Sequence, residues 1–317
     1  MAFTVIHGAM AKTILIATEK PFAEAALQQM RQEVEATDGF ILKLLEHYTS
    51  MDELQDAIAD VDAVVVRSDI MSASTIGMSK KLKVIVRAGA GYDNVDIAAA
   101  TEKGIVVMNT PGQNSNAVAE LGFGLMLGLI RRKYLGGAGS ELMGKTIGMH
   151  GFGYIGKCMA RIAKGFNMET IAFDPYVDQQ SILALGVRRC ESVEDLYRES
   201  DFISLNIPVN NGNAKSVNYE LLSLSKPNAL LVNTARKELI EEEGLMRILD
   251  ERPAYMYASD IAPTLKVLME EKFPIRTLFT SNKMGAQTVE ANRNAGVAAV
   301  KQIIDYFTKG DTTFKVN

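Results

Sequence analysis

Short, almost wholly apolar runs recur through the first third of the chain: Thr13–Ala17, Phe40–Leu45, Ala63–Val66, Val84–Val86 and Ile105–Met108. A parallel strand covered on both faces reads this way, because it has no solvent side to carry polar residues. Phe40–Leu45 alternates imperfectly and is the weakest of the set. Between these runs the apolar spacing turns helical. One helix is predicted from the Glu19-Lys20-Pro21-Phe22 segment to about Glu35. Another is predicted over Met51–Ile58, where Ser50 is a candidate N-cap and Glu53 the matching capping-box acid. The second half repeats the theme. Strands are predicted at Ile147–His150, Thr170–Phe173, Asp201–Leu205, Ala229–Val232, Tyr255–Ser259 and Leu278–Thr280. Helices are predicted at Lys157–Phe166, Glu241–Leu249 and Val289–Phe307, the last with Thr288 as N-cap. Strands alternating with helices define an α/β fold with parallel sheets.

Gln113–Arg132 is a longer helical pattern, and Gly122, Gly124 and Gly128 within it imply close packing on another element. At 317 residues the chain is long enough for two domains. The long helix is the natural bridge between them, and a glycine-rich polar stretch, Lys133–Ser140, leads from it into the second.

Composition narrows the function classes. The net charge of −4 excludes a surface built for nucleic acid or an anionic membrane. The longest apolar run, Leu121–Ile130, is ten residues, too short to span a bilayer. The start carries no secretory pattern, and the two cysteines, Cys158 and Cys190, offer neither a disulfide framework nor metal spacing. A cytoplasmic location is expected. Residues 1–9 precede a second methionine, Met10, and read as an extension without assigned role.

Candidate chemistry centres on Gly151-Phe-Gly153-Tyr154-Ile155-Gly156, set between a strand and a helix. The first glycine permits a tight turn, the second lets a pyrophosphate approach the backbone, and the third lets helix and strand pack closely. The helix N-terminus then offers free N–H groups and a partial positive charge to that pyrophosphate. Asp174 ends the next strand, 18 residues after Gly156, where an acid would bind the ribose 2′-OH. A carboxylate there repels a 2′-phosphate, so NAD is expected over NADP. An incidental glycine-rich turn would lack this second strand and its terminal acid.

A second cluster lies at strand ends in the first third. Arg67 follows one strand, and Arg87 with the turn Ala88, Gly89, Ala90 and Gly91 follows the next. Ligands of open parallel sheets gather at such ends. Two arginines there point to a doubly charged anion; the bland alternative is a pair of surface ion pairs.

The segments VRAGAGYDNVD at 86–96, MNTPGQNSNAVAE at 108–120, GKTIGMHGFGYIGK at 144–157, LVNTAR at 231–236 and GAQTVEAN at 285–292 resemble the D-2-hydroxyacid dehydrogenase family, and within it the phosphoglycerate dehydrogenase branch. The resemblance runs from about Thr13 to the C-terminus. It implies a flavodoxin-like substrate domain over 10–112 and 289–317, a Rossmann NAD-binding domain over 113–288, and a homodimer joined through the NAD-binding domains. By position it assigns Arg236 to the substrate carboxylate and C2 oxygen, the turn 88–91 to the carboxylate, and Arg67 to a phosphate. It places Pro208, Thr234, Ala235, Asp260 and Gly285 on the cofactor, Asp260 near the nicotinamide amide. Asn114 is placed near the hinge on the substrate side.

The departures from the family pattern are informative. Lys283 in Asn282-Lys283-Met284-Gly285 stands where most members carry the catalytic histidine, and His7, His47 and His150 fall elsewhere. The partner glutamate beyond Asp260 is absent from Ile261-Ala262-Pro263-Thr264-Leu265-Lys266, and Lys237 replaces a glycine after Arg236. A short subgroup shares the lysine and lacks the C-terminal regulatory domains, for which this chain has no room. The double loss is chemically coherent. The glutamate of a His–Glu pair selects a tautomer and stabilises the imidazolium, and lysine has no tautomers. Arg236 and the nicotinamide charge are expected to lower the Lys283 pKa toward a working base. The expected reaction is NAD-dependent oxidation of 3-phospho-D-glycerate, the entry to serine synthesis. The alternatives are a glyoxylate or hydroxypyruvate reductase and a non-catalytic NAD(H)-sensing scaffold.

Overall fold

The computed structural model describes residues 11–210 and 212–317. The extension at 1–9, with His7, lies outside the described residues. The chain divides into two compact units: the residues up to Asn114 together with Thr288–Asn317, and Ser115–Gln287.

The first unit contains a five-stranded sheet of β1 (Lys12–Thr18), β2 (Phe40–Glu46), β3 (Ala63–Val66), β4 (Val84–Arg87) and β5 (Val106–Asn109). All neighbours are parallel and the order is β2-β1-β3-β4-β5. Successive strand residues point to opposite faces, so each face builds its own core. Ile14 and Ile16 pack with Met30, Val84 and Ala299 on one side; Leu15 and Ala17 pack with Leu54 and Ile58 on the other. The imperfect pattern of β2 has a simple cause: it is an edge strand, with Ile41 and Leu44 exposed. Met51–Ile58 is helical and Ser50–Glu53 forms a complete capping box. The last helix, Val289–Lys309, is capped by Thr288, whose side chain accepts the Ala291 N–H at 3.0 Å.

The second unit holds a seven-stranded parallel sheet of β6 (Thr146–His150), β7 (Glu169–Phe173), β8 (Arg188–Arg189), β9 (Phe202–Leu205), β10 (Leu230–Asn233), β11 (Met256–Ser259) and β12 (Thr277–Phe279). Its order is β12-β11-β10-β9-β6-β7-β8. The chain leaves β6 toward β7 on one side and later returns to β9 on the other, so the topological switch lies between β6 and β9.

Several sequence expectations need correction. The long helix runs Ser115–Ile130, shorter than the pattern suggests, and opens the second unit. A Cβ at Gly128 would crowd Leu278, one at Gly122 would make ordinary contact with Met159, and Gly124 faces open space. The first helix begins at Glu24, after Pro21 and Phe22. Short helices at Ala73–Met78, Ile97–Glu102, Gln179–Leu183, Val193–Glu199, Tyr219–Ser223 and Lys266–Lys272 had no expectation. They span five to seven residues, too few for a helical period to stand out.

Candidate active site

The glycine turn leaves β6 at the switch point. Gly151 has φ +97, and a Cβ there would lie 2.8 Å from the Asn206 carbonyl carbon of the loop after β9. Only glycine fits that turn. A Cβ at Gly156 would lie 2.5 Å from the Gly151 carbonyl oxygen, so helix Tyr154–Gly165 sits tightly on the turn. Gly153, its N-cap, has open space beside it. No side chain caps this helix, and its first turn contains no acid. The N-terminal N–H groups are therefore presented to an anion with no competing carboxylate. Tyr154 is exposed and Ile155 half-buried. Asp174 is fixed at the end of β7: Oδ2 accepts the Phe152 N–H at 2.8 Å and Oδ1 the Tyr176 N–H at 2.9 Å. One carboxylate thus ties the glycine turn to the neighbouring strand end. These residues fit a dinucleotide with a free ribose 2′-OH.

Farther along the same sheet, three strand ends are linked by hydrogen bonds. Buried Asn233, the last residue of β10, folds the next residues around its amide: Oδ1 accepts the Ala235 N–H and Nδ2 donates to the Arg236 carbonyl, both at 2.9 Å. Its own carbonyl accepts the Asp260 N–H at 3.1 Å and the Ser259 hydroxyl at 3.0 Å, from the end of β11. The Asp260 carboxylate then holds the loop after β12. Oδ1 accepts the Thr280 hydroxyl at 3.0 Å and the Met284 N–H at 2.9 Å; Oδ2 accepts the Gly285 N–H at 2.8 Å. Arg236 and Lys283 thus stand on loops joined through Asn233 and Asp260. Asp260, expected on a nicotinamide amide, spends its carboxylate on the Lys283 loop. Lys283 is exposed, and its carbonyl accepts the Gln287 side-chain amide at 2.7 Å. Thr234 and Ala235 are buried, and Pro208 is exposed, its carbonyl taken by Asn213 at 2.7 Å.

In the first unit, Arg67 and Arg87 stand at the ends of β3 and β4 and are joined: Arg87 Nε donates to the Arg67 carbonyl at 2.9 Å. The Arg87 guanidinium lies across Gly89, where φ is +151 and a Cβ would fall 1.5 Å from Nη1. The turn needs a correction. The Ala88 and Gly89 N–H groups already serve the Val66 and Arg87 carbonyls, at 2.8 and 2.9 Å. That leaves Ala90 and Gly91 as its candidate anion donors. Asn109 Nδ2 holds the Ala90 carbonyl at 2.6 Å. Asn114 ends the first segment of this unit, one residue before the long helix.

The remaining expected chemistry stays apart. His150 is buried against Tyr197, 3.4 Å from its hydroxyl. Burial pushes its pKa down to about 4, with the Asp174 charge opposing, so it is a neutral core group at pH 7. Burial likewise pushes the Cys190 thiol up to about 11. Among the described residues no cluster of histidine, cysteine and acids could hold a metal, and no helix is long and apolar enough to cross a membrane. Sequence reasoning missed Asn233, Asn109 and Asn292. All three lie inside the motifs quoted for the family, but an isolated asparagine has no spacing that reveals its partner.

A glycine turn at a sheet switch point, an uncapped helix and a strand-end acid define a dinucleotide-binding α/β protein of the Rossmann type. Residues 129–277 match the D-isomer specific 2-hydroxyacid dehydrogenase, NAD binding domain. The chain is 36% identical over 281 residues to a hydroxypyruvate reductase of Thermotoga maritima, covering 83% of this chain and 90% of that protein. It is 34% identical over 306 residues to a D-3-phosphoglycerate dehydrogenase of Methanocaldococcus jannaschii, covering 92% of this chain but only 57% of that protein. Among solved structures it is similar to a cofactor (NAD+)-bound 3-phosphoglycerate dehydrogenase of Entamoeba histolytica, with 42% identity, a TM-score of 0.84, and 97% and 99% of the two chains covered. The chain belongs to the D-isomer specific 2-hydroxyacid dehydrogenase family, and its cofactor is NAD.

Proposed function

We propose that the protein oxidises 3-phospho-D-glycerate to 3-phosphohydroxypyruvate. The observation that carries this substrate over an unphosphorylated one is Arg67. It stands at the β1/β3 switch point of the first sheet, where flavodoxin-like strand orders bind anionic ligands. No ion pair engages its guanidinium among the described residues. A substrate bearing only one carboxylate leaves that charge nothing to bind.

Bound NAD supplies the hydride acceptor for C2. The chain's own residues do the rest. Arg236 holds the substrate carboxylate and C2 oxygen, with the Ala90 and Gly91 N–H groups as further donors to the carboxylate. Lys283, neutral, takes the proton of the C2 hydroxyl as the carbonyl forms, and returns it in the reverse direction. Asp260 fixes the loop that presents Lys283. Asp174 selects NAD over NADP. We further propose a cytoplasmic homodimer joined through the NAD-binding domains, checked by light scattering.

The similarity to a hydroxypyruvate reductase supports a rival reading, reduction of an unphosphorylated 2-keto acid. The test is NADH formation, followed by absorbance, with 3-phospho-D-glycerate and with D-glycerate, beside Lys283→Ala. Equal rates on the two substrates would favour the rival. No NADH from the parent protein at any pH would favour the NAD(H)-sensing scaffold.

A further inference from the structure

Arg67 is held by neutral acceptors alone. Nη1 donates to the carbonyls of Lys20 and Pro21, at 2.9 and 3.1 Å, and Nη2 donates to Asn292 Oδ1 at 2.7 Å. The Phe22 ring lies beneath it, 4.9 Å from Cζ. The nearby carboxylate, Asp69, is otherwise engaged: it accepts the Glu19 N–H, the Arg67 backbone N–H and the Tyr48 hydroxyl at 2.7, 3.0 and 2.7 Å. Three of the five guanidinium N–H donors are thus used for aim. Nε–H and one Nη2–H remain as donors for a phosphate or carboxylate.

Asn292 is itself aimed. Its Nδ2 donates to the Thr288 carbonyl at 2.9 Å, which turns Oδ1 toward Arg67. Thr288 caps the helix that carries Asn292, so the first turn of the last helix fixes the Asn292 end of the contact. An aspartate would accept from Arg67 more strongly, yet it would form an ion pair and cancel the charge. An amide oxygen aims the guanidinium and leaves the charge in place.

We propose that Asn292 is a positioning residue that holds Arg67 without a direct ion pair for a phosphate dianion, and so sets the preference for a phosphorylated over an unphosphorylated 2-hydroxy acid. This rests on the substrate reading above.

The experiment compares Asn292→Asp, Asn292→Ala and Arg67→Ala with the parent. It measures kcat and KM for 3-phospho-D-glycerate and D-glycerate, with binding of 3-phospho-D-glycerate by calorimetry and urea midpoints for folding. In Asn292→Asp the ratio of kcat/KM for the phosphorylated over the unphosphorylated substrate should fall by about tenfold or more, through KM rather than kcat. Asn292→Ala, which loses aim but keeps charge, should fall less. A merely structural asparagine would give the opposite order, because aspartate preserves the acceptor, and would lower both substrates together. If Arg67→Ala lowers the ratio while both Asn292 variants match the parent, the role of Asn292 is wrong and the substrate reading stands. If Arg67→Ala also leaves the ratio unchanged, or the parent binds no 3-phospho-D-glycerate, both fall.

Discussion

The Asp260 carboxylate accepts the backbone N–H of Gly285 at 2.8 Å, and its other oxygen accepts the N–H of Met284 at 2.9 Å. The residue just before this pair is Lys283. Buried Asp260, the residue after β11, thus grips the loop after β12 by its backbone, and a Cβ at Gly285 would come to 3.0 Å from Oδ2. The main chain on either side of Met284 is thereby fixed directly after Lys283.

Asp260→Asn should therefore harm turnover before cofactor binding. The amide NH2 would face one of the N–H groups that the carboxylate now accepts, leaving a buried donor unmatched, at about 1–3 kcal/mol. The expected outcome is a kcat lowered by on the order of tenfold or more, a lower urea midpoint, and a KM for NAD that changes less than kcat. A variant that raised only the KM for NAD would return Asp260 to a purely cofactor-binding role.

Lys283→Ala should lower kcat by about 10²–10⁴-fold, the usual span for a lost general base. The direction of its pH dependence is fixed by chemistry: oxidation needs the neutral amine, so the parent rate should rise with pH. The Lys283→Ala rate should lose that rise. A parallel pH profile in the two proteins, measured at saturating substrate, would assign the proton to another group.

Much of this fold was legible because buried parallel strands announce themselves. Ala63–Val66 and Val84–Val86 are apolar on both faces, and the glycine spacing at 151, 153 and 156 carries its own stereochemistry. The edge strand β2 was blurred because one side faces water. The site was legible in its charged residues and illegible in its asparagines. Arg67 reads as an anion site from its place after a strand, but nothing in the string of letters ties it to Asn292, 225 residues later. Nor could sequence tell that the Ala88 and Gly89 N–H groups are already committed. Hydrogen bonds between distant polar residues have no period, so they emerge only when the fold brings them together.

Asp174→Asn tests cofactor choice separately from turnover. Each oxygen of the carboxylate now holds a backbone N–H, so the variant keeps one of these bonds and loses its charge. Removing the negative charge relieves repulsion of a 2′-phosphate. The preference for NADH over NADPH, from fluorescence titrations, should fall by on the order of tenfold. An unchanged preference would mean that this acid shapes the turn without facing the ribose.

The acid limb of stability should carry the signature of His150. Its folded pKa is about 4, set chiefly by burial, against an ordinary value near 6.5 in the unfolded chain. Between those values the unfolded state binds more protons, so acid favours unfolding. The effect is negligible above the unfolded pKa, grows as pH falls toward 4, and is complete below it. From about pH 7 to about pH 5, this single group should cost on the order of 2 kcal/mol. His150→Leu removes the titration and the 3.4 Å contact with the Tyr197 hydroxyl. Urea unfolding at both pH values should show the variant losing less stability on acidification than the parent, whatever its stability at neutral pH. Equal losses would mean that His150 gains a proton in the folded state as readily as in the unfolded one.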